Sequence, residues 1–272
     1  MLRHEGDRLT RVVVSTPGDA YFEVETHEGA NIPELADREL TLKQHAELKS
    51  LIEGFGCEVI DVPELEGDPN SVFTRDVALC TPEGHIKLSM GLEARRGEEV
   101  WMSEALDKLG EPCVGAIDAP GAVEGGDVVL AGDVAFVGLS RRTNTEGAWQ
   151  ISGMLADMGY GVRTAYLPDK YMHIGGPMSI IGRDRVLCCR DVFPDDYFEG
   201  FETIEVDSES PSTANVICLA ENEVIASASE NELVCQVLEA RGVTVHRLDL
   251  SEFRKGAGGP TCLILPVERV QS

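Results

Sequence analysis

A helical pattern that ends at glycine and runs into an apolar strand occurs five times in this chain of 272 residues. The first copy spans Asp37 to Phe55, then Gly56 and the strand Cys57–Val62. The next helical stretches are Glu98–Leu109, Glu146–Met158, a shorter element near Pro194–Glu199, and Glu230–Arg241. They end at Gly110, Gly159, Gly200 and Gly242, so the junctions lie 54, 49, 41 and 42 residues apart. Glycine supplies the left-handed backbone that a helix needs just past its last turn. Ser229-x-x-Glu232 reads as a capping box opening the last helix.

Ahead of the later helices lie strand pairs: Val128–Ala131 with Val134–Val137, Met178–Ile181 with Val186–Cys189, and Val216–Leu219 with Glu223–Ala226. The unit is strand–strand–helix–strand. Five units in a row would leave two open sheet ends, which a ring removes. Arg11–Val14 has no strand before it, and Cys262–Val267 has no helix after it. Together they complete one module. The expectation is an α/β fold, a five-bladed propeller of ββαβ modules over residues 1–272, closed by its two terminal strands. A generic α/β domain with glycines recurring by chance is the competing reading.

The chain carries 48 Asp and Glu against 23 Lys and Arg, a net charge of −25. That sign opposes phosphate backbones and anionic membrane surfaces, so no nucleic-acid or membrane partner is expected. A cationic small molecule is attracted. Lysine is scarce, 6 against 17 arginines, which suits a protein kept soluble in high salt; a merely acidic protein is the plainer reading. Eight cysteines form no C-x-x-C pair, so no metal site is expected. No apolar leader follows Met1 and no apolar run reaches 18 residues, so a reduced cytoplasmic protein is expected.

Gly258-Gly259-Pro260-Thr261-Cys262 places a cysteine after a flexible loop, at the start of the last strand. It reads as a nucleophile or as a buried structural thiol. His173, ahead of Gly175-Gly176, suits a general acid/base or a core histidine. Glu124 and Asp127 flank two glycines, and either orient a base, hold a cation or make a turn. Arg142 is suited to clamping a carboxylate, or is a solvated arginine. Asp76, Glu124, His173 and Cys262 share a register: each opens a module's strand pair or its equivalent. In a ring they converge at one end of the axis, giving a thiol, an imidazole and several carboxylates around one cavity. That set suits a guanidinium substrate.

These stretches resemble the dimethylarginine dimethylaminohydrolase branch of the arginine deiminase and amidinotransferase superfamily, the guanidine-modifying or pentein enzymes. The resemblance runs from about Pro69 to the C-terminus. It rests on Phe73-Thr74-Arg75-Asp76, Arg95-Arg96-Gly97-Glu98, Glu124-Gly125-Gly126-Asp127, the run from Val137 to Gly147, His173, and Leu248 through Cys262. It implies a five-module propeller with Cys262 as nucleophile, His173 as acid/base and Glu124 as its orienting partner. Asp76, with Asn70 and Asp127, would bind the guanidino end. Arg142, with Arg95 or Arg96, would hold an α-carboxylate. No cofactor or metal is implied, and a homodimer is left open.

Departures separate the chain from both branches. Methylarginine hydrolases often carry Asp at the position of Asn70 and an acid at that of Arg75. Arginine deiminases carry Asp at the position of Gly175. The substrate expectation is therefore arginine or a methylated arginine. Deiminase, dihydrolase and amidinotransferase reactions are the alternatives, with a non-catalytic scaffold the remote one. Asp19–Glu34 reads as a lid or a connecting loop.

Overall fold

The computed structural model describes residues 2–24, 27–228 and 231–271. Fifteen strands form five separate three-stranded sheets among these residues. The strands are β1 Arg8–Val14, β2 Glu58–Asp61, β3 Ala78–Thr81, β4 Gly84–Lys87, β5 Cys113–Ala116, β6 Val128–Ala131, β7 Val134–Leu139 and β8 Gly161–Tyr166. They continue as β9 Met178–Gly182, β10 Arg185–Cys189, β11 Glu202–Val206, β12 Ile217–Ala220, β13 Glu223–Ser227, β14 Thr244–Leu248 and β15 Leu265–Val270.

Every sheet has one plan. Its middle strand pairs antiparallel on one side and parallel on the other, as β7 does with β6 and β8. The parallel neighbour needs a crossover, and a helix makes it in four modules. These helices are Arg38–Gly54, Glu98–Lys108, Thr145–Asp157 and Glu232–Ala240. Asp37 and Asn144 cap two of them, accepting from the amides of Leu40 and Gly147. Ser229, half of the expected capping box, lies outside the described residues.

The five junction glycines all have positive φ, between +79° and +90°. A side chain there would be strained, and this is why the repeat is punctuated by glycine. The fourth module departs from the plan. Residues 195–200 form consecutive turns, and in place of a helix Tyr197, Phe198 and Phe201 pack around Phe136, with Phe193 stacked on Tyr197. Aromatic rings cover the sheet face that a helix covers elsewhere.

β1 pairs antiparallel with β15 and parallel with β2, so the N- and C-terminal strands share one sheet. Neighbouring modules meet through β15 and β3, β6 and β9, β9 and β12, and β12 and β1. The core is divided accordingly, into clusters packed between each sheet and its helix. No described helix is long and apolar enough to cross a membrane.

Candidate active site

A cavity of about 360 Å³ opens at one end of the ring, lined by Asp76, Gly126, His173 and Cys262 from four different modules. Each of these follows a loop that leads into a module's first strand, so the shared register is what brings them together.

Cys262 stands on a one-turn helix, Pro260–Leu263, rather than at the start of the last strand as expected. Proline at the first position fits the turn because its missing N–H has no intrahelical partner there. The strand begins three residues later, at Leu265. Asn215 holds this turn: its Nδ2 donates to the Gly175 carbonyl (2.9 Å) and to Thr261 Oγ1 (2.8 Å), and its Oδ1 accepts from the Thr261 amide (2.9 Å). Burial, and then the negative charge of Asp76, push the Cys262 thiol up to about 12.

His173 is buried, with Nε2 2.7 Å from Glu124 Oε2 and Nδ1 3.6 Å from Asp76 Oδ1. Burial alone would depress its pKa. Asp76, Glu124 and Asp127 outweigh that and raise it to about 9. Glu124 is fully buried. Burial works against its ionisation, but bonds and charges from His173, Arg95 and Arg142 hold it down at about 2. The Gly91 and Leu92 amides and Arg142 Nη1 all donate to its Oε1.

Arg95, not Arg96, faces the cavity; Arg96 is exposed on the outside. Arg95 is already engaged. Its Nε and Nη2 bind Glu98 at 2.8 and 2.7 Å, Nη1 binds Asp76 Oδ2 at 2.7 Å, and Nη2 also donates to the Phe73 carbonyl. Asp76 Oδ1 has no hydrogen-bond partner among the described residues. Asn70 lines the cavity and donates from Nδ2 to the Ala30 carbonyl at 3.0 Å.

Asp127 does not line the cavity. Its carboxylate accepts from Ser140 Oγ (2.6 Å) and from the Ile174 amide (2.9 Å), so it fixes the backbone after His173. Burial raises its pKa to about 6. Arg75 also points away, toward the ring axis, where it binds Glu5 at 2.6 Å. The departure noted at this position therefore lies outside the pocket.

The cavity is not ringed by carboxylates. Asp76 is the one acid among its described lining residues, while Arg141, Arg142, Lys170 and Arg254 bring positive charge. The acids sit one layer behind, under arginines. Ligand atoms of Asp76, Glu124 and His173 lie within 4.8 Å of one another, a spacing a metal ion tolerates. Arg95 and Arg142 on those carboxylates weigh against a cation there. From the Asp19–Glu34 stretch, read as a lid or a connecting loop, Asn31 and Pro33 border the cavity, and residues 25–26 lie outside the described residues.

Sequence reasoning missed Asn215, Glu98 and the glycines that make room. A Cβ on Gly126 would lie 2.7 Å from the His173 ring, and one on Gly258 would lie 2.2 Å from Phe73. Asn215 sits after Pro211-Ser212-Thr213, ahead of a strand, the register shared by the other site residues, and that was its available signal.

The family model described as N,N dimethylarginine dimethylhydrolase, eukaryotic, matches residues 23–269. The chain belongs to the dimethylarginine dimethylaminohydrolase family. The dimethylarginine dimethylaminohydrolase of Pseudomonas aeruginosa is 29% identical over 254 residues, covering 93% of this chain and 98% of the relative. A solved structure of a Cys-to-Ser mutant of the Pseudomonas aeruginosa enzyme, complexed with citrulline, superimposes with TM-score 0.83 at 27% identity. It covers 95% of this chain and 99% of that one. The N-terminal domain of ArgZ, a cyanobacterial arginine dihydrolase, gives TM-score 0.81 at 19% identity, covering 97% and 98% of the two chains, a likeness of fold. Like other members of the dimethylarginine dimethylaminohydrolase family, this chain is a five-module α/β propeller and a hydrolase of amidine C–N bonds.

Proposed function

We propose that this hydrolase acts on free arginine or an Nω-methylated arginine, through a covalent amidino-thioether on Cys262. The convergence of Cys262, the paired His173 and the available oxygen of Asp76 on one cavity carries the reading. The positive rim supports a substrate with an α-carboxylate, held by Arg142. A purely cationic guanidine gains nothing from that rim.

Asp76 has two effects. It adds to burial in keeping the resting thiol protonated, and it pairs with an incoming guanidinium. The substrate's positive charge beside the sulfur then favours loss of the thiol proton to solvent. The Cys262 thiolate attacks the guanidinium carbon, and an S–C bond forms. His173 enters this step as an imidazolium because its pKa is raised to about 9. Nε2 is held by Glu124, so Nδ1 is the atom that delivers a proton to the departing nitrogen. The C–N bond breaks, and the protonated nitrogen leaves as ammonia, methylamine or dimethylamine. Neutral His173 then takes a proton from water, whose oxygen attacks the same carbon. The C–S bond breaks as the added oxygen becomes the ureido carbonyl, its remaining proton passes to the departing thiolate, and citrulline and the Cys262 thiol result.

The test is release of citrulline and amine from arginine and from asymmetric dimethylarginine, side by side, with Cys262→Ser as blank. Citrulline from either substrate supports the reading and names the substrate. Ornithine with ammonia and no citrulline points to a dihydrolase, a second attack by water for which Asn70 is the candidate residue. No product from either substrate overturns the reading.

A further inference from the structure

A second cavity, of about 30 Å³, lies on the ring axis. Every module contributes to its wall: Arg269 of β15, Arg75 ahead of β3, Val129 of β6, Ser179 of β9 and Cys218 of β12. Glu5, from the N-terminal segment, completes the charged groups. Gly126, Gly175 and Thr261 form walls of both this cavity and the catalytic one.

The charges in this wall do not balance. Arg75 is paired: its Nη2 binds Glu5 at 2.6 Å and the Val128 carbonyl at 2.9 Å. Arg269 is not. It is buried, and its Nη1 donates to the Asp7 carbonyl at 2.7 Å. Among the described residues its Nε has no hydrogen-bond partner, the Cys218 thiol is its side-chain hydrogen-bond neighbour, and no carboxylate lies within 4 Å of it. Its other charged or titratable neighbours are Glu5, Arg75, Cys57 and Cys218. Both thiols are neutral at ordinary pH, because burial pushes Cys57 up to about 11 and Cys218 up to about 12. Two guanidiniums and one carboxylate leave one positive charge inside a protein of net charge −25. An arginine does not shed its proton to escape burial, so the balance must come from a counter-charge.

We propose that the axial cavity binds one small monovalent anion of the chloride class between Arg75 and Arg269. A water needs roughly 10–15 Å³ of such space, so about 30 Å³ admits a halide and excludes sulfate, phosphate and carboxylates. Bound there, the anion ties the C-terminal strand to the second module and to the N-terminal segment. It reinforces the contact that closes the ring.

Thermal unfolding at fixed ionic strength tests this. Sodium gluconate is replaced stepwise by sodium chloride or bromide, so that general screening of the acidic surface stays constant. The expected result is a saturable rise in Tm of about 2–4 °C for the wild type at tenfold over half-saturation. Arg269→Met should show no difference between the salts. An identical Tm in gluconate and chloride overturns the proposal. Crystals of the unaltered protein soaked in bromide decide it even if the variant does not fold. An anomalous peak between the Arg75 and Arg269 guanidiniums supports the site. Bromide found only at surface positions refutes it.

Discussion

Nε2 of His173 lies 2.7 Å from Oε2 of Glu124, with both side chains buried, and this bond makes an ion pair of two groups that burial would otherwise neutralise. Both partners shift: the histidine is raised to about 9 by Asp76, then by Glu124 and Asp127, and the glutamate is lowered to about 2 by His173, then by Arg95 and Arg142. The pair is held from behind by Arg142 and the Gly91 and Leu92 amides.

Stability should follow the pair's ionisation. The histidine's folded pKa is above its ordinary 6.5, so its contribution is complete below 6.5 and lost as pH rises through about 9. The glutamate's folded pKa is below 4.5, so its contribution is complete above 4.5 and lost as pH falls through about 2. The urea midpoint should therefore be highest between those limits. Glu124→Gln should lower it there, remove the acid limb and shift the alkaline limb toward lower pH, with Asp76 still supporting the imidazolium. An unchanged pH profile in the variant counts against the ion pair.

The same titration sets an alkaline limit on activity. Leaving-group protonation needs imidazolium, so kcat should decline as pH rises through about 9. Measurement of kcat from pH 6 to 10.5 in steps of about 0.5 checks this. A rate still climbing at the top of that range removes His173 from the acid role.

Cys262→Ser should lower turnover by about 10³-fold or more, while circular dichroism and Tm stay near wild type, because a hydroxyl is far harder to ionise than a thiol. Activity within tenfold of wild type would sink the covalent route.

Gly126→Ala places a methyl group 2.7 Å from the His173 ring. The ring must shift from its bond to Glu124, and about a 10–100-fold loss of kcat is expected with little change in KM. Unaltered kcat would mean the ring moves without consequence.

Glu98→Ala removes both bonds to Arg95 and leaves a buried guanidinium short of charge. A loss of about 3–5 kcal/mol in unfolding free energy is expected. Arg96→Ala, by contrast, should leave kcat/KM within about twofold, since an exposed side chain off the cavity contributes little. Arg142→Ala should weaken arginine more than agmatine, which lacks the carboxylate. Equal losses on both substrates remove Arg142 as the carboxylate reader.

Much of this was legible in one dimension. The junction glycines were readable because only glycine takes φ near +80° to +90° without strain, and that requirement leaves a mark on the residue itself. Cys262, His173, Glu124 and Asp76 were readable by register, because equivalent positions in a ring face one end of the axis. The fourth module's missing helix was less so. A shorter helical element was expected near Pro194–Glu199, but the packing of Tyr197 and Phe198 on Phe136 joins parts of the chain some 60 residues apart.

The pattern of apolar residues and glycines, by itself, determined the repeat unit, its number and the need to close a ring, because secondary structure and edge avoidance are set by local chemistry. Tertiary structure alone decided which charges face the cavity. Arg95 and Arg96 are adjacent in the chain, yet one is buried against Glu98 and Asp76 and the other is exposed. Arg75 and Asp76 are adjacent too, and they point to two different cavities. A charged side chain is placed by the partners that neutralise it on burial, and those partners come from other modules.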